Sequence, residues 1–338
     1  MLGLDNSDQA DGVKKPIFEI DFGSDPSDKW ESSLVSLTVE SGLAPFADVA
    51  EIIITNDAAA PGITVGDTGS ISLGYNDSPE RVFTGRIDSI EHNIHGFTKF
   101  SAINGGALLS GLRVNQSYEK QNAGEIVSDL AGNGEVETDR IEDGIAYPFF
   151  VIDDGKNVYQ HIYRLAGNSN YICFINHEGA LNFISYSGGN PPAEFTYGVN
   201  LISLEITDQT PFFESVAIVG EGVASSEGEE AWCRLVKNPS SVTQGDPAAA
   251  ARLISDPSLR SKDAVMLAAD GVTGVNTAWQ IKGSLLAAGE PLALVGNAVQ
   301  INDAPDDFLN GECMVRYLKH TFNKQSGFIT SLEFFKTG

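Results

Sequence analysis

A ten-residue stretch of this chain occurs twice, first as Asn76-Asp77-Ser78-Pro79-Glu80-Arg81-Val82-Phe83-Thr84-Gly85. Its second form is Asn302-Asp303-Ala304-Pro305-Asp306-Asp307-Phe308-Leu309-Asn310-Gly311, with the same order of turn residues, apolar pair and glycine. The flanking segments also match in order: 33–39 with 200–206, 63–71 with 293–301, and 96–100 with 327–332. Matches that keep their order along a chain predict an internal duplication.

The spacing of the matches shows where the second copy is longer. The offset is 167 positions between Leu34 and Leu201 but 230 positions between Val65 and Val295, so the second copy carries about 63 additional residues. We therefore predict two related β domains, at 16–112 and 195–338, the second with an inserted helical and loop segment at about 221–290.

The length of 338 residues exceeds one ordinary core and fits two to three domains. We expect a flexible tail at 1–15, which is rich in Asp, Gly and Ser, and a small α/β domain at 113–194 between the two β domains. The 35 glycines and many turn dipeptides favour short strands over long helices. The predicted fold class is mainly β (α+β).

The composition excludes several classes of protein. A formal net charge of −25 would repel a phosphate backbone, so no stable nucleic-acid binding is expected. Cys173, Cys233 and Cys313 are far apart in apolar segments, which predicts buried free thiols in a reducing compartment. The polar N-terminus does not resemble a signal peptide, and no run approaches the ~20 apolar residues of a membrane span. We expect synthesis in the cytoplasm.

Alternating apolar residues predict strands from Pro16 onward. The longest hairpin pairs 81–94 with 97–103, and a similar one pairs 312–322 with 328–335 at the end of the chain. Phe83 and Ile87 fall at odd positions but Ile90 and Ile94 at even ones, so we expect a β-bulge in the first of these strands.

Helical patterns occur at three places. The segments 122–131 and 156–166 each carry an apolar face, and Asn122 is a typical capping residue. A third helix is predicted at 276–288, and a helix-prone turn at Asp246. A hairpin of 171–175 with 180–185 completes the α/β domain, and the inserted segment begins with a flexible run at 224–230.

The sequence predicts no catalytic, cofactor-binding or metal-binding residues, and no cofactor. His92, His95, His161, His177 and His320 are scattered, without the spacing of a metal site, and we interpret the first two as exposed hairpin residues. The acid pairs Asp153-Asp154 and Asp306-Asp307 fall at predicted turns, where Asp bonds the backbone. Trp30, Trp232 and Trp279 are too far apart to predict a sugar-binding platform.

Two segments resemble the late control D family of phage tail hub proteins. The first runs from Val82-Phe83-Thr84-Gly85-Arg86-Ile87-Asp88-Ser89-Ile90-Glu91 through Ala102, Leu108-Leu109 and Tyr118 to the helix at 125–130. The second is the C-terminal hairpin with Gly311-Glu312-Cys313-Met314-Val315, 318–322 and 327–332, including His320. The resemblance covers nearly the whole chain from Pro16 and contains no catalytic fingerprint.

The resemblance implies two tail-tube-like β-barrel domains in a structural baseplate hub of a contractile phage tail or phage-like injection system, not in an enzyme. Similar hubs form the N-terminal part of type VI spike proteins. Such a hub is a homotrimer, whose six similar units match a six-fold inner tube while a three-fold face meets the spike. Expected partners are other copies, the inner tube protein, other baseplate proteins and, because no spike domain follows Gly338, a separate spike protein.

An acidic central channel, through which cargo passes without adhering, is a further hypothesis from the net charge. The expected location is a virion tail or an injection-system baseplate. The alternative is a β-barrel carbohydrate-binding or hydrolytic protein, because fold alone does not determine function. A cleft that gathers acids and tryptophans would favour that alternative.

Overall fold

The computed structural model describes residues 14–23, 28–55, 62–220, 241–246 and 251–336. Its strands up to the first long hairpin are β1 (Pro16–Phe22), β2 (Leu34–Gly42), β3 (Val49–Thr55), β4 (Thr68–Tyr75), β5 (Ser78–Asn93) and β6 (Phe97–Ile103). The next are β7 (Gln116–Asn122), β8 (Thr138–Ile141), β9 (Ala146–Ile152), β10 (Ile172–Ile175), β11 (Leu181–Ile184), β12 (Ala193–Thr196), β13 (Leu201–Asp208) and β14 (Ser215–Val219). The last are β15 (Ser241–Gly245), β16 (Ala251–Ser255), β17 (Ile281–Ala288), β18 (Ala298–Asn302), β19 (Gly311–Asn323) and β20 (Gly327–Lys336). The helices are α1 (Asp28–Ser33), α2 (Gly105–Gly111), α3 (Ala123–Asn133), α4 (Val158–Ser169) and α5 (Lys262–Ala278). The prediction of a mainly β fold is confirmed.

Twelve strands form one continuous sheet with the order β1-β4-β5-β6-β3-β2-β19-β20-β17-β13, and β12 and β18 join it beside β19. The sheet has two apolar cores. The first gathers residues of β1 to β6 with Trp30, and the second gathers residues of β12, β13 and β17 to β20. The two predicted β domains are therefore halves of one sheet, joined where β2 pairs with β19.

The two halves pair their strands in the same order. In the first half the ladder runs β2, β3, β6, β5, β4, and in the second it runs β13, β17, β20, β19, β18. Corresponding strands also carry register shifts at corresponding places: Leu34/Ser36 in β2 matches Leu201/Ser203 in β13, and Ile87/Ser89 in β5 matches Val315/Tyr317 in β19. The halves differ at their outer strand, since β1 is antiparallel to β4 whereas β12 is parallel to β18.

Both long hairpins form as the sequence predicts, and the expected β-bulge in β5 lies at the shift between Ile87 and Ser89. The predicted hairpin of β10 and β11 is also present. The helices α3 and α4 begin at capping boxes. Asn122 pairs with Glu125, and Asn157 pairs with Gln160, so that each side chain accepts a bond from the partner's backbone N–H.

The third core packs α3 and α4 between the short strands of the middle segment and the elements that follow β13. Strand β14 pairs with β15 and β16 in a separate three-stranded sheet, and α5 lies against α4. Gly271 of α5 passes so close to the Gly167 carbonyl of α4 that an added Cβ would lie 2.2 Å from that oxygen. A side chain there would force the two helices apart.

The predicted helix at 276–288 is wrong. Helix α5 ends at Ala278, and Ile281–Ala288 is strand β17, which lies between β13 and β20. Leu285 and Ala287 are buried at a period of two, which is the strand period. Pairing of β17 along both of its edges overrides the helical spacing of Ile281 and Leu285. The predicted flexible run at 224–230, Cys233 and most of the turn after Asp246 lie outside the described residues.

Candidate assembly interface

The contact between the two halves is an antiparallel ladder of seven residue pairs, from Tyr317 opposite Gly42 to Asn323 opposite Ser36. On its inner face Phe322 lies opposite Leu37, and both belong to the core of the first half. A side chain of the second half thus completes the core of the first half. We call this ladder the internal seam.

The outer face of the internal seam is tied by charge and hydrogen bonds. Glu40 of β2 accepts a bond from the Lys319 Nζ at 2.8 Å and another from the Tyr317 hydroxyl at 2.7 Å. The hydrogen bond from Lys319 is the main reason why the pKa of Glu40 is lowered, and the partial burial of the carboxyl opposes that effect. These side chains remain partly exposed, so their contacts fix the position of β19 relative to β2 more than they stabilise the fold.

His320 lies on the inner face of the internal seam, opposite Val39. Its Nδ1 is 3.0 Å from the Thr330 Oγ1 of the adjacent strand, and the ring packs edge-on against Phe328. The side chain is buried, and this burial lowers the pKa of His320 to about 3. The imidazole is therefore neutral at physiological pH.

The same histidine and threonine recur in the first half, at the corresponding places of β5 and β6. The Nδ1 of His92 is 3.3 Å from the Thr98 Oγ1. His92 follows its bulge by the same number of residues as His320 follows its own. Here, however, His92 is exposed, because in the described residues no strand lies along the outer edge of β5 beyond Ile87.

Ile94, two residues after His92, corresponds in position to Phe322 of β19. Its side chain is 97% exposed at the tip of the hairpin, whereas Phe322 is buried. The prediction that His92 and His95 are exposed hairpin residues is confirmed. Ile94 was not predicted as a contact residue, although an apolar side chain directly before the turn at His95-Gly96 was a signal for one.

Strand β13 shows the complementary open edge. It pairs with β17 on one side, and its other side has no partner strand in the part of the chain that the structure describes. Leu201, Leu204 and Ile206 border the second core but are only partly buried. Their counterparts in β2, which are Leu34, Leu37 and Val39, are at most 2% exposed, and β19 pairs with β2 along the stretch that holds Leu37 and Val39.

The remaining residues considered from the sequence serve local structure. Asp153 accepts a bond from the Gly155 N–H and Asp306 one from the Phe308 N–H, so both acid pairs stabilise turns. His161 is buried on α4 with its Nε2 2.9 Å from the Asp153 carbonyl oxygen. The described residues include no group of three or more His, Cys, Asp or Glu that could hold a metal ion. Cys173 and Cys313 are buried free thiols, as predicted.

A cavity of about 150 Å³ lies where the two halves meet the middle segment. Its acidic lining residues are Asp48 and Asp139, and no tryptophan lines it. Trp30 is buried in the first core, while Trp279 packs edge-on against Phe335 of β20. Acids and tryptophans are thus not gathered at this cavity, and Trp232 lies outside the described residues.

Asp48 is the most unusual titratable group of the cavity. Its Oδ1 accepts a bond from the Gly42 N–H at 3.0 Å, and its own N–H donates to the Asn104 Oδ1 at 3.2 Å. Burial raises the pKa of Asp48 to about 8, against the opposing effect of the bond from Gly42. A protonated carboxyl therefore sits where β2 turns towards β3.

Arg164 links the middle segment to the separate three-stranded sheet. Its guanidinium donates to both carboxylate oxygens of Asp256, at 2.9 and 2.8 Å. Burial would raise the pKa of Asp256, but the hydrogen bonds from Arg164 and Ser258, together with the charge of Arg164, outweigh burial and lower the pKa. We expect Arg164→Ala to reduce the free energy of unfolding by about 2–4 kcal/mol, because the buried Asp256 carboxylate would keep only the neutral donors Ser258 and Asn168 and lose its cation. Urea denaturation followed by fluorescence measures this change.

Arg164→Lys is the matched control for that variant. It keeps the charge but replaces the guanidinium, whose Nη2 contacts both carboxylate oxygens, by an ammonium on a differently shaped side chain, so we expect a loss of about half the size. Equal stability of wild type and Arg164→Ala would show that the pair contributes nothing to folding.

Solved structures with the same architecture come from phage tails and secretion systems. The 43 kDa tail protein of prophage MuSo2 from Shewanella oneidensis is 12% identical, with a TM-score of 0.70 over 95% of this chain and 98% of that one. The chain has the fold of phage tail proteins. A tail protein of Neisseria meningitidis MC58 gives a TM-score of 0.71 at 14% identity, over 96% of this chain and 97% of that one.

The tail-protein fold also occurs in a cellular machine. An E. coli component of the type VI secretion system is 10% identical, with a TM-score of 0.60 over 95% of this chain and 77% of that one. That protein is itself described as similar to the T4 bacteriophage tail proteins gp27 and gp5. No protein-family model matches the chain, and no curated protein matches it in sequence. Within the described residues, no helix is long and apolar enough to cross a membrane.

Proposed function

We propose that this chain is the structural baseplate hub of a contractile phage tail or of a phage-like injection system. In this role three copies form a ring that joins a six-fold inner tube to a three-fold spike around a central channel. The partners are other copies of the chain, the inner tube protein, a spike protein and further baseplate proteins. The function is structural, with no reaction assigned to it.

The observation that carries the proposal is the matching strand order of the two halves within one tail-protein fold. A chain with two similar units presents six such units when it forms a trimer. Six units match a six-fold partner on one side, while the threefold repeat of the chain suits a trimeric partner on the other. We infer that the two halves arose by duplication of one ancestral unit.

The charge of the chain agrees with a conduit rather than with a nucleic-acid-binding protein. A net charge of −25 per copy repels phosphates, so cargo with a phosphate backbone would pass without being held. The same charge makes copies repel one another at low ionic strength. Assembly should therefore be measured at about 0.15 M salt or above, where the Debye length is ~8 Å.

The decisive experiment is the mass of the purified chain by light scattering, followed by electron microscopy of the same peak. We expect a mass of three chains of 36.0 kDa and class averages that show a ring with a central hole. A monomer at every protein concentration and salt level tested would overturn the proposed hub.

A further inference from the structure

We propose that the trimer closes by pairing β13 of one copy with the outer edge of β5 of the next, as β2 pairs with β19 within each chain. This inference rests on the proposed trimer and specifies its interface. We call the new contact the external seam. It is antiparallel, like the internal seam on which it is based.

The internal seam supplies the template. By strand order and by the matched register shifts, β2 corresponds to β13 and β19 corresponds to β5. Each chain therefore forms this contact once, between β2 and β19. It also carries the two strands of a second such contact, β13 and β5, whose edges are open. A strand edge without a partner presents free backbone N–H and C=O groups, which makes it a site for pairing with another strand.

Two separate edges on one chain define how copies can associate. The edge of β13 belongs to the second half and that of β5 to the first half, so the contact is head-to-tail. A head-to-tail contact produces a closed ring when its rotation closes. In a ring of three copies, internal and external seams would alternate, giving six similar contacts around the channel.

The register of the external seam follows from counting residues from the matched bulges. In the internal seam Phe322 lies opposite Leu37, so in the external seam Ile94 of one copy lies opposite Leu204 of the next. Likewise, His320 lies opposite Val39 in the internal seam, so His92 lies opposite Ile206 in the external seam. On the outer face Asn93 lies opposite Glu205. In the internal seam the corresponding residues are Thr321 and Thr38.

The apolar residues at the two edges fit this assignment. Ile94 is 97% exposed in the single chain, and the template places it in the second core of the neighbouring copy, where Leu204 and Ile206 are only partly buried. Phe322 likewise inserts into the core of the other half of its own chain, where it packs edge-on against Phe18 with ring centroids 5.0 Å apart. The external seam would also cover His92 and its bond to Thr98, as the internal seam covers His320 and Thr330.

Ile94→Asp tests the assignment without disturbing the fold of one chain. Because Ile94 is almost fully exposed, the variant should unfold within about 0.5 kcal/mol of wild type. In the trimer it would place a carboxylate in an apolar core, so we expect at least a tenfold weaker assembly by light scattering. Leu253→Asp is the matched control, since Leu253 is 72% exposed on β16, in a sheet separate from both edges.

A cysteine pair tests the register directly. With Cys233→Ser as background, Asn93→Cys/Glu205→Cys places thiols on facing residues of neighbouring copies, within the range of Cα separations that a disulfide spans. Oxidation should then give a covalent trimer on a non-reducing gel. A mixture of the two single variants should give covalent dimers but no covalent trimers, because each chain then carries one thiol at the external seam. Val65→Cys/Glu205→Cys should give no covalent trimer.

The outcomes separate this inference from the proposed function. A covalent trimer together with loss of assembly in Ile94→Asp supports the external seam. A trimer by mass that forms no cross-link and tolerates Ile94→Asp overturns the external seam but leaves the hub intact. A chain that is monomeric under all conditions overturns both.

Discussion

Phe322→Ala is expected to lower the free energy of unfolding by about 3–5 kcal/mol, the range for removing a buried aromatic side chain. Phe322 belongs to the second half by sequence but lies in the core of the first half, against Phe18. Its removal leaves a cavity at the internal seam, next to Leu37. Chemical denaturation followed by far-UV circular dichroism measures the loss.

Phe212→Ala is the matched control for this prediction, because Phe212 is 68% exposed and we expect a change within about 0.5 kcal/mol. Hydrogen exchange adds a spatial test. Amides of β2 and β19 should lose protection in Phe322→Ala before those of β3 and β20, since the seam opens first. A loss of less than about 1 kcal/mol would mean that the two halves do not share a core.

Asp48→Asn is expected to change how stability depends on pH. The pKa of Asp48 is about 8 in the folded chain and the ordinary value for the carboxyl is 3.8, so the folded state holds a proton that the unfolded state has released. Taken by itself, Asp48 should therefore make stability fall as pH rises through this window, by about 1.4 kcal/mol per pH unit. The introduced asparagine carries no ionisable group, and this fall should disappear in the variant.

His320 makes the free energy of unfolding change with pH in the opposite direction, at lower pH. Its pKa is about 3 when folded and 6.5 ordinarily, so only the unfolded state binds a proton between these values, and stability rises with pH there. The two slopes offset each other between pH 3.8 and 6.5, which leaves pH 6.5 to 8 as the window in which the slope of Asp48 is not opposed by His320. Denaturation midpoints of the wild type should fall in that window, while those of Asp48→Asn should stay level.

Asp154→Asn is the control for the pH experiment, because Asp154 is exposed at a turn. It should follow the wild-type curve throughout. Parallel curves of wild type and Asp48→Asn between pH 6.5 and 8 would contradict a protonated Asp48 in the folded chain.

Structural features that depend on residues close together in the sequence were predictable from the sequence. The bulge of β5 follows from the change of phase between Phe83 and Ile90, and the starts of α3 and α4 follow from their capping residues. The helix predicted at 276–288 failed because β17 is stabilised by strands on both sides, which the apolar spacing of one segment does not reveal.

The internal seam could not be predicted from pattern alone. Alternation of apolar residues tells which face of β2 is buried, but it does not tell which strand lies along its edge, and β19 is almost the whole chain away in sequence. The same limit applied to His92 and Ile94. Their exposure at a hairpin was predictable, but their correspondence to His320 and Phe322 required the matched bulges of the folded sheet.

The pairing of β2 with β19 has a consequence for how the molecule responds to dilution. A contact within one chain forms at a fixed effective concentration, whereas a contact between chains weakens as the protein is diluted. Half of the seams of a closed ring would thus be permanent. The proposed ring of three would assemble from whole chains, with a third-order rather than a sixth-order dependence on subunit concentration, and it would dissociate into folded single chains.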